Sequence, residues 1–149
     1  MKKHNYILAA LIFLLAQALY AFELPSTWIQ ATLPEPTVFS ANQYQGEKIV
    51  NSINVFTLES QLNAVTGLKK KLEAKDLKNV GDGYVVENFK PFKELKEAYI
   101  IEGKNTRAST SFTQIWKFGE KKTAVAQISN YKNLDESIKK EITKLMEGL

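Results

Sequence analysis

The spacing of the apolar residues changes twice along this chain. Each time, a segment with apolar residues at alternate positions is followed by one with apolar residues three or four positions apart. Residues 48–58 are rich in β-branched side chains, which predicts a strand. Residues 61–75 then follow helical spacing. The same change separates residues 109–129 from residues 133–149. Several strands with only two helices predict an α+β fold, in which the helices pack on an antiparallel β-sheet as an α/β/α-like sandwich.

The other strands are predicted between turns rich in proline, glycine and asparagine. Trp28 opens the first strand, which Pro34 and Pro36 end, and Val38 and Phe39 form a short second strand before a turn at residues 42–46. Further strands are expected at residues 84–89, 98–102, 109–118 and 123–129, the last two joined as a hairpin. A connection at residues 89–92 should fold two phenylalanine rings back on the sheet.

Within that hairpin, strand alternation divides the side chains between two faces of the sheet. One face carries Phe112, Gln114, Trp116 and Phe118, and the other carries Ser111, Thr113, Ile115 and Lys117. Because serine, threonine and lysine are polar, we expect the second face to be the wetter one. Trp28 and Trp116 are interpreted as core residues of a small sheet protein.

Both predicted helices have an apolar stripe and candidate capping residues. Ser60 is placed to cap the first helix, while Asn133 and Glu136 resemble a capping box for the second, which ends near Gly148. The stripe of the second helix consists of Leu134, Ile138, Ile142, Leu145, Met146 and Leu149.

The N-terminus has the layout of a secretory signal. Lys2 and Lys3 precede an apolar run at residues 7–19, which is shorter than the roughly 20 residues that a membrane-spanning helix needs. We expect cleavage after Ala21, which gives a signal peptide at residues 1–21 and a single mature domain at residues 22–149 that does not span the membrane. The protein is therefore predicted to be exported, to the periplasm or, in a cell without an outer membrane, to the medium.

Two missing residue types narrow the chemistry of the mature chain. The chain has no cysteine, and its only histidine, His4, lies in the predicted signal. Catalytic systems built on histidine or cysteine are therefore excluded, as are ordinary zinc and copper sites. We predict no catalytic residues, no metal and no cofactor. Without cysteine the domain must be stabilised by apolar burial rather than by disulfides.

The charge of the chain says little about its partners. Lys2 and Lys3 leave with the signal, so the formal charge falls from +4 to +2. The densest basic cluster comprises Lys69, Lys70, Lys71, Lys75 and Lys78. Acidic residues interrupt it and no aromatic residues lie beside it as a base-stacking groove requires, so it is interpreted as a solvated helix face and no nucleic acid is expected.

A candidate binding segment surrounds Arg107, the only arginine of the chain. Ser109 and Ser111 lie close to it in sequence, and a guanidinium with nearby hydroxyls can hold a carboxylate or a phosphate. The alternative interpretation is a solvated loop arginine. Acidic pairs such as Glu94 with Glu97 are interpreted as surface charge.

The order and spacing of the elements resemble the PsbP-like fold, including the periplasmic DcrB-like proteins. The similarity rests on the strand at Trp28, the strand at residues 48–58 that leads into the first helix, the hairpin around Gly119 and the terminal helix. It implies an accessory or binding role without catalysis. DcrB-like proteins are lipoproteins, and since this chain has no cysteine to accept the lipid, that attachment is not carried over.

The leading functional prediction is a non-enzymatic exported domain that binds a protein or a small ligand in the cell envelope. One alternative is an enzyme independent of histidine and cysteine, which a pocket gathering Lys117, Tyr99, Ser111 and an acid would favour. Another is a structural subunit of the envelope, which an extensive exposed apolar surface would favour.

Overall fold

The computed structural model describes residue 22 and residues 24–149. The predicted signal peptide and its cleavage site lie outside these residues. The described elements are β1 (Trp28–Ala31), β2 (Thr37–Gln45), β3 (Lys48–Glu59), α1 (Asn63–Glu73), β4 (Tyr84–Pro91), β5 (Ala98–Asn105), β6 (Thr110–Lys117), β7 (Lys122–Ile128) and α2 (Glu136–Glu147), with a 3₁₀ turn at Tyr131–Asn133 before α2.

The strands form one seven-stranded sheet in the order β1-β2-β3-β7-β6-β5-β4, and every neighbouring pair is antiparallel. After β3 the chain crosses through α1 to the far edge and returns strand by strand until β7 pairs with β3. The α+β class predicted from the sequence is confirmed. The two halves of the chain therefore meet at the centre of the sheet.

Each helix packs against a different face of the sheet. Successive residues of a strand point to opposite faces, and the neighbours Ile100 and Ile101 of β5 belong to two separate apolar clusters. The cluster around Ile100 includes the buried stripe of α2, and the cluster around Ile101 includes Val65, Leu68 and Leu72 of α1. The buried part of the stripe predicted for the last helix is thus confirmed.

The expectation of one wet face on the β6–β7 hairpin was wrong. Thr113 and Ile115 are as deeply buried as Phe112 and Gln114 on the opposite face. The reason is α2, which covers the face that the sequence marks as polar. Lys117 also contacts α2, since its Nζ donates hydrogen bonds to the carbonyl oxygens of Met146 and Glu147 at 3.0 Å. These carbonyls lie at the C-terminal end of the helix, where the helix dipole favours a cation.

The region between Pro36 and Lys48 is more regular than predicted. The short strand and the turn at residues 42–46 are instead one nine-residue strand, β2, and the turn reduces to Gly46 and Glu47. The polar sequence of β2 gives little strand signal, but the strand forms because it pairs through backbone hydrogen bonds with β1 on one side and β3 on the other. Gly46 has a φ of 62°, which suits this tight turn.

Gly148 is the C-cap of α2, as predicted, but the predicted N-terminal caps of both helices were wrong. Ser60 does not cap α1; its Oγ lies 2.9 Å from Oγ1 of Thr123, and the helix begins at Asn63 without a side-chain cap. Because α1 ends at Glu73, Lys75 and Lys78 do not continue its basic face. The N-cap of α2 is Asp135 rather than Asn133.

The two phenylalanines of the predicted connection at residues 89–92 lie on different faces of the sheet, and the two tryptophans differ in burial. Strand β4 runs through to Pro91, so Phe89 packs with the α1 cluster while Phe92 packs with the α2 cluster. Trp28 is buried, as predicted, but Trp116 is only half-buried, and its Nε1 donates to Oε1 of Gln114 at 2.9 Å.

Neither helix of the described residues has the length and apolar character needed to cross a membrane.

Candidate functional site

A groove opens where α2 does not cover the outer strands on its face of the sheet. Three adjoining clefts of about 200, 350 and 430 Å³ meet at Tyr131, which lines all three. We call them together the Tyr131 groove. The smallest cleft lies beside Glu102 and Ser111, the second runs along α2, and the third extends over Pro91 and Ile100.

Tyr131 is positioned by a hydrogen-bond network around Asn51 of β3. Asn51 is only 3% exposed. Its Oδ1 accepts hydrogen bonds from Ser52 N at 3.0 Å, Ser129 Oγ at 3.0 Å and Asn130 N at 3.1 Å, and its Nδ2 lies 3.4 Å from Asn130 O. The central sheet thereby fixes the two residues that precede Tyr131. Sequence reasoning missed Asn51, whose only signal is an amide within a β-branched strand that also carries Asn54.

The surroundings of Tyr131 are acidic at its hydroxyl and basic at its ring. Burial raises the pKa of Tyr131 above its usual value of 10.0, and the carboxylates of Glu94, Glu136 and Glu102 raise it further. Lys139 Nζ lies 5.0 Å from the ring centroid and donates to Oε1 of Glu136 at 2.8 Å. Tyr131 is therefore a protonated hydroxyl in a negative local field, with one cation over its ring.

The smallest cleft has Glu102 at its base. The side chain of Glu102 is 23% exposed. Among the described residues its carboxylate has distant partners: Lys132 Nζ lies 3.9 Å from Oε1 and Asn88 Nδ2 lies 3.5 Å from Oε2. Ser111 and Thr113 of β6 line the same cleft. This end of the groove can therefore accept hydrogen bonds from a ligand through its carboxylate and exchange them through its hydroxyls.

The groove includes one of the three candidate residues that the sequence suggested. Ser111 lines it, whereas Arg107 and Ser109 lie in the β5–β6 turn and line none of the three clefts. The side chain of Arg107 is 70% exposed and forms an ion pair with Asp82. An anion at Arg107 would have to compete with that carboxylate. The anion site around Arg107 and Ser109 stays a prediction.

The constellation suggested for an enzyme is not assembled. Tyr99 and Lys117 lie on opposite faces of the sheet, because Tyr99 packs with the α1 cluster while Lys117 bonds to the end of α2. The acidic pair Glu94 and Glu97 is also divided: Glu94 lines the groove, and Glu97 lies 3.8 Å from Lys69. Over the part of the chain that the structure describes, no three side chains of His, Cys, Asp or Glu are placed to hold a metal ion.

Comparisons of the chain with protein-family models, with curated proteins and with solved structures found no match.

Proposed function

We propose that this chain is an exported, non-enzymatic domain that binds a partner molecule of the cell envelope in the Tyr131 groove. The observation that carries the proposal is that three adjoining clefts share one aromatic side chain, held in place from the centre of the sheet by Asn51. Concave sites that combine apolar walls with a few placed polar groups are typical of ligand binding.

The chemistry of the groove favours a ligand with a cationic group beside an apolar one. Glu94, Glu102 and Glu136 line the groove with Tyr131 and raise the pKa of its hydroxyl, and they would attract an ammonium or guanidinium group. Phe92 and Ile100 supply apolar contact next to it. A basic segment of an envelope protein has both features, and so does a small amphipathic amine.

Two features of the sequence are consistent with this role. The predicted signal at residues 1–21 would deliver the domain to the envelope, and the mature chain has neither histidine nor cysteine for the commonest catalytic systems. A kinship with PsbP-like and DcrB-like proteins, in an α/β/α-like sandwich, belongs to the same proposal, because the resemblance implies binding rather than catalysis.

Photo-crosslinking in the producing cells tests the proposal directly. A photoreactive phenylalanine analogue replaces Tyr131 in one variant and Tyr44 of β2 in a matched control, since both tyrosines are half-buried and Tyr44 lies outside the groove. Illumination should give an adduct at position 131 that position 44 does not give, and mass spectrometry of the adduct would identify its source.

A second substitution tests the ligand class. Exchanging Glu94 for Gln in the crosslinking variant should weaken the adduct, because it removes a carboxylate from the proposed cation site. The absence of a specific adduct at position 131, in a protein that is exported and folded, would overturn the proposal.

A further inference from the structure

The two edges of the sheet are protected very differently. At the β4 edge, segment 78–80 lies alongside the strand: Val86 N donates to Lys78 O at 2.8 Å and Val80 N donates to Tyr84 O at 3.1 Å. The strand also contains a register shift between Val86 and Asn88 and ends in Pro91. Covering segments, bulges and prolines are the usual means by which proteins block pairing at a sheet edge.

Within the residues that the structure describes, strand β1 ends the sheet on the other side, and it contains no register shift and no proline. Tyr44 N donates to Thr27 O at 2.9 Å, so the antiparallel alternation directs the backbone groups of residues 27, 29 and 31 toward β2. The backbone groups of Trp28 and Gln30 consequently point away from the sheet. Trp28 N donates a hydrogen bond to Pro25 O at 3.0 Å. The Trp28 carbonyl and the N–H and carbonyl of Gln30 are therefore the groups that point outward from the edge.

The β1 edge is also uncharged and partly apolar. Residues 24–34 contain no Asp, Glu, Lys or Arg, although charged residues make up 24% of the chain. Ile29 is 60% exposed and Leu33, just beyond the strand, is 48% exposed. Lysine on an edge strand commonly prevents association, and β4 carries Lys90 where β1 carries no charge.

We propose that β1 pairs antiparallel with β1 of a second copy of this chain, about a two-fold axis at Gln30. In this register the two Gln30 residues exchange backbone hydrogen bonds, and Thr32 N of each copy donates to the Trp28 carbonyl of the other. The two seven-stranded sheets become one continuous sheet. A two-fold interface of this kind is self-complementary, as closed dimers require.

A second copy fits this edge because nothing in the register opposes it. Ile29 would lie opposite Ala31 of the second copy, so a large apolar side chain meets a small one on the same face. The uncharged segments bring no like charges together. The pairing is independent of the Tyr131 groove, which lies toward the opposite side of the sheet.

Sedimentation velocity over a wide concentration range tests the dimer, with the chain expressed whole and purified as the cell processes it. The wild type should associate reversibly. Ile29→Lys should abolish association by placing charges beside the two-fold axis, and Gln30→Pro should abolish it by removing an outward N–H that β2 does not use. Val85→Lys is the matched control, because Val85 is an exposed apolar residue on the opposite edge, and it should still associate.

Circular dichroism establishes that each variant is folded, and Ile29→Lys keeps the test valid should the proline variant unfold. A wild type that stays monomeric throughout would overturn the proposal, and so would dimers that survive in Ile29→Lys or are lost in Val85→Lys.

A single introduced cysteine tests the register. Because the chain has no cysteine of its own, Gln30→Cys provides one thiol per copy, and directly opposed residues of a hydrogen-bonded antiparallel pair have Cα atoms about 5.5 Å apart. That separation lies within the roughly 4.4–6.8 Å range of disulfides. Mild oxidation should link two Gln30→Cys copies and leave Val85→Cys unlinked, whereas equal linking of both variants, or of neither, would contradict the register.

Discussion

At the scale of single residues, Tyr131 makes the electrostatics of the groove measurable. Its pKa is raised above 10.0 by burial and then by Glu94, Glu136 and Glu102. Above pH 10 the unfolded chain loses this proton before the folded protein does. The contribution of Tyr131 to stability is therefore intact below pH 10 and is lost as the pH rises through the folded-state pKa.

Two substitutions test this loss of stability at alkaline pH and its cause. Tyr131→Phe should make stability decline less steeply at alkaline pH than in the wild type, as measured by urea unfolding at a series of pH values. Glu94→Gln should lower the pKa of Tyr131, measured by tyrosine NMR titration, because it removes the most effective of the three carboxylates. Glu120→Gln in the β6–β7 turn is the control, and an equal pKa in both glutamine variants would show that Glu94 does not act on the hydroxyl.

Residue-scale patterns predicted the candidate site only in part. Ser111 was selected as a hydroxyl near Arg107, yet it lines a cleft with Glu102 and Lys132 instead. Arg107 is directed to Asp82, 25 residues earlier in the chain, a pairing that depends on how two turns meet. Asn51 and the residues just before Tyr131 are brought together by the pairing of β3 with β7, and no local sequence pattern encodes that contact.

At the scale of elements, periodicity was a good guide to the strands and helices that bury a regular apolar set and a poor one elsewhere. Strand β3, the β6–β7 hairpin and α2 lie close to their predicted positions, because each buries a regular apolar set. Strand β2 was underestimated, since its residues Asn42, Gln43 and Gln45 give little strand signal and the strand is stabilised by its two neighbours. The N-terminal cap predicted for α1 failed because Ser60 found a tertiary partner in Thr123.

The junction of β4 and β5 depends on the missing side chain of Gly103. A Cβ there would overlap the carbonyl oxygen of Val85 and lie 2.9 Å from Cε1 of Phe112. Gly103→Ala must therefore displace backbone, and we expect it to lower the free energy of unfolding by about 1–3 kcal/mol, as overpacking does. Chemical denaturation of the purified variant measures this loss.

Gly67 in α1 is the matched control for Gly103. A Cβ at Gly67 would meet no atom within 4 Å, so Gly67→Ala should raise stability by roughly 0.5–1 kcal/mol through the better helix propensity of alanine. Equal effects of the two alanine substitutions would contradict the close approach of β4 to Gly103.

At the scale of the whole molecule, the sheet is a shared wall between two apolar clusters. Trp28, Ile53 and Ile142 belong to the cluster on one face, while Val65 and Ile101 belong to the cluster on the other. A chain without disulfides thus buries both sides of its central strands, which increases the apolar area removed from water per residue of sheet. The groove lies at the margin of one cluster, where its walls are supported by packed strands.

Asn51 connects that interior to the groove, so one substitution should affect stability and site together. Asn51→Ala removes the part-buried hydrogen bonds that Oδ1 accepts from Asn130 N and Ser129 Oγ, and each such bond contributes about 0.5–1.5 kcal/mol. Freed from β3, the segment that carries Tyr131 should become more hydrated, and the pKa of Tyr131 should fall back toward 10.0. Urea unfolding and tyrosine NMR titration measure the two effects.

Asn54→Ala provides the comparison within the same strand. The Asn54 side chain is half-buried and accepts a hydrogen bond from Ser40 Oγ at 2.7 Å. It lies on the opposite face of the sheet from Asn51. Because Ser40 is only 6% exposed, Asn54→Ala also leaves a buried hydroxyl without its acceptor and should cost a similar free energy of unfolding. It should nevertheless leave the pKa of Tyr131 unchanged, because no residue of the groove depends on Asn54. If Asn51→Ala also left that pKa in place, the segment at residues 129–133 would hold its position through its own turn and the packing of Leu134, and the groove would not depend on the centre of the sheet.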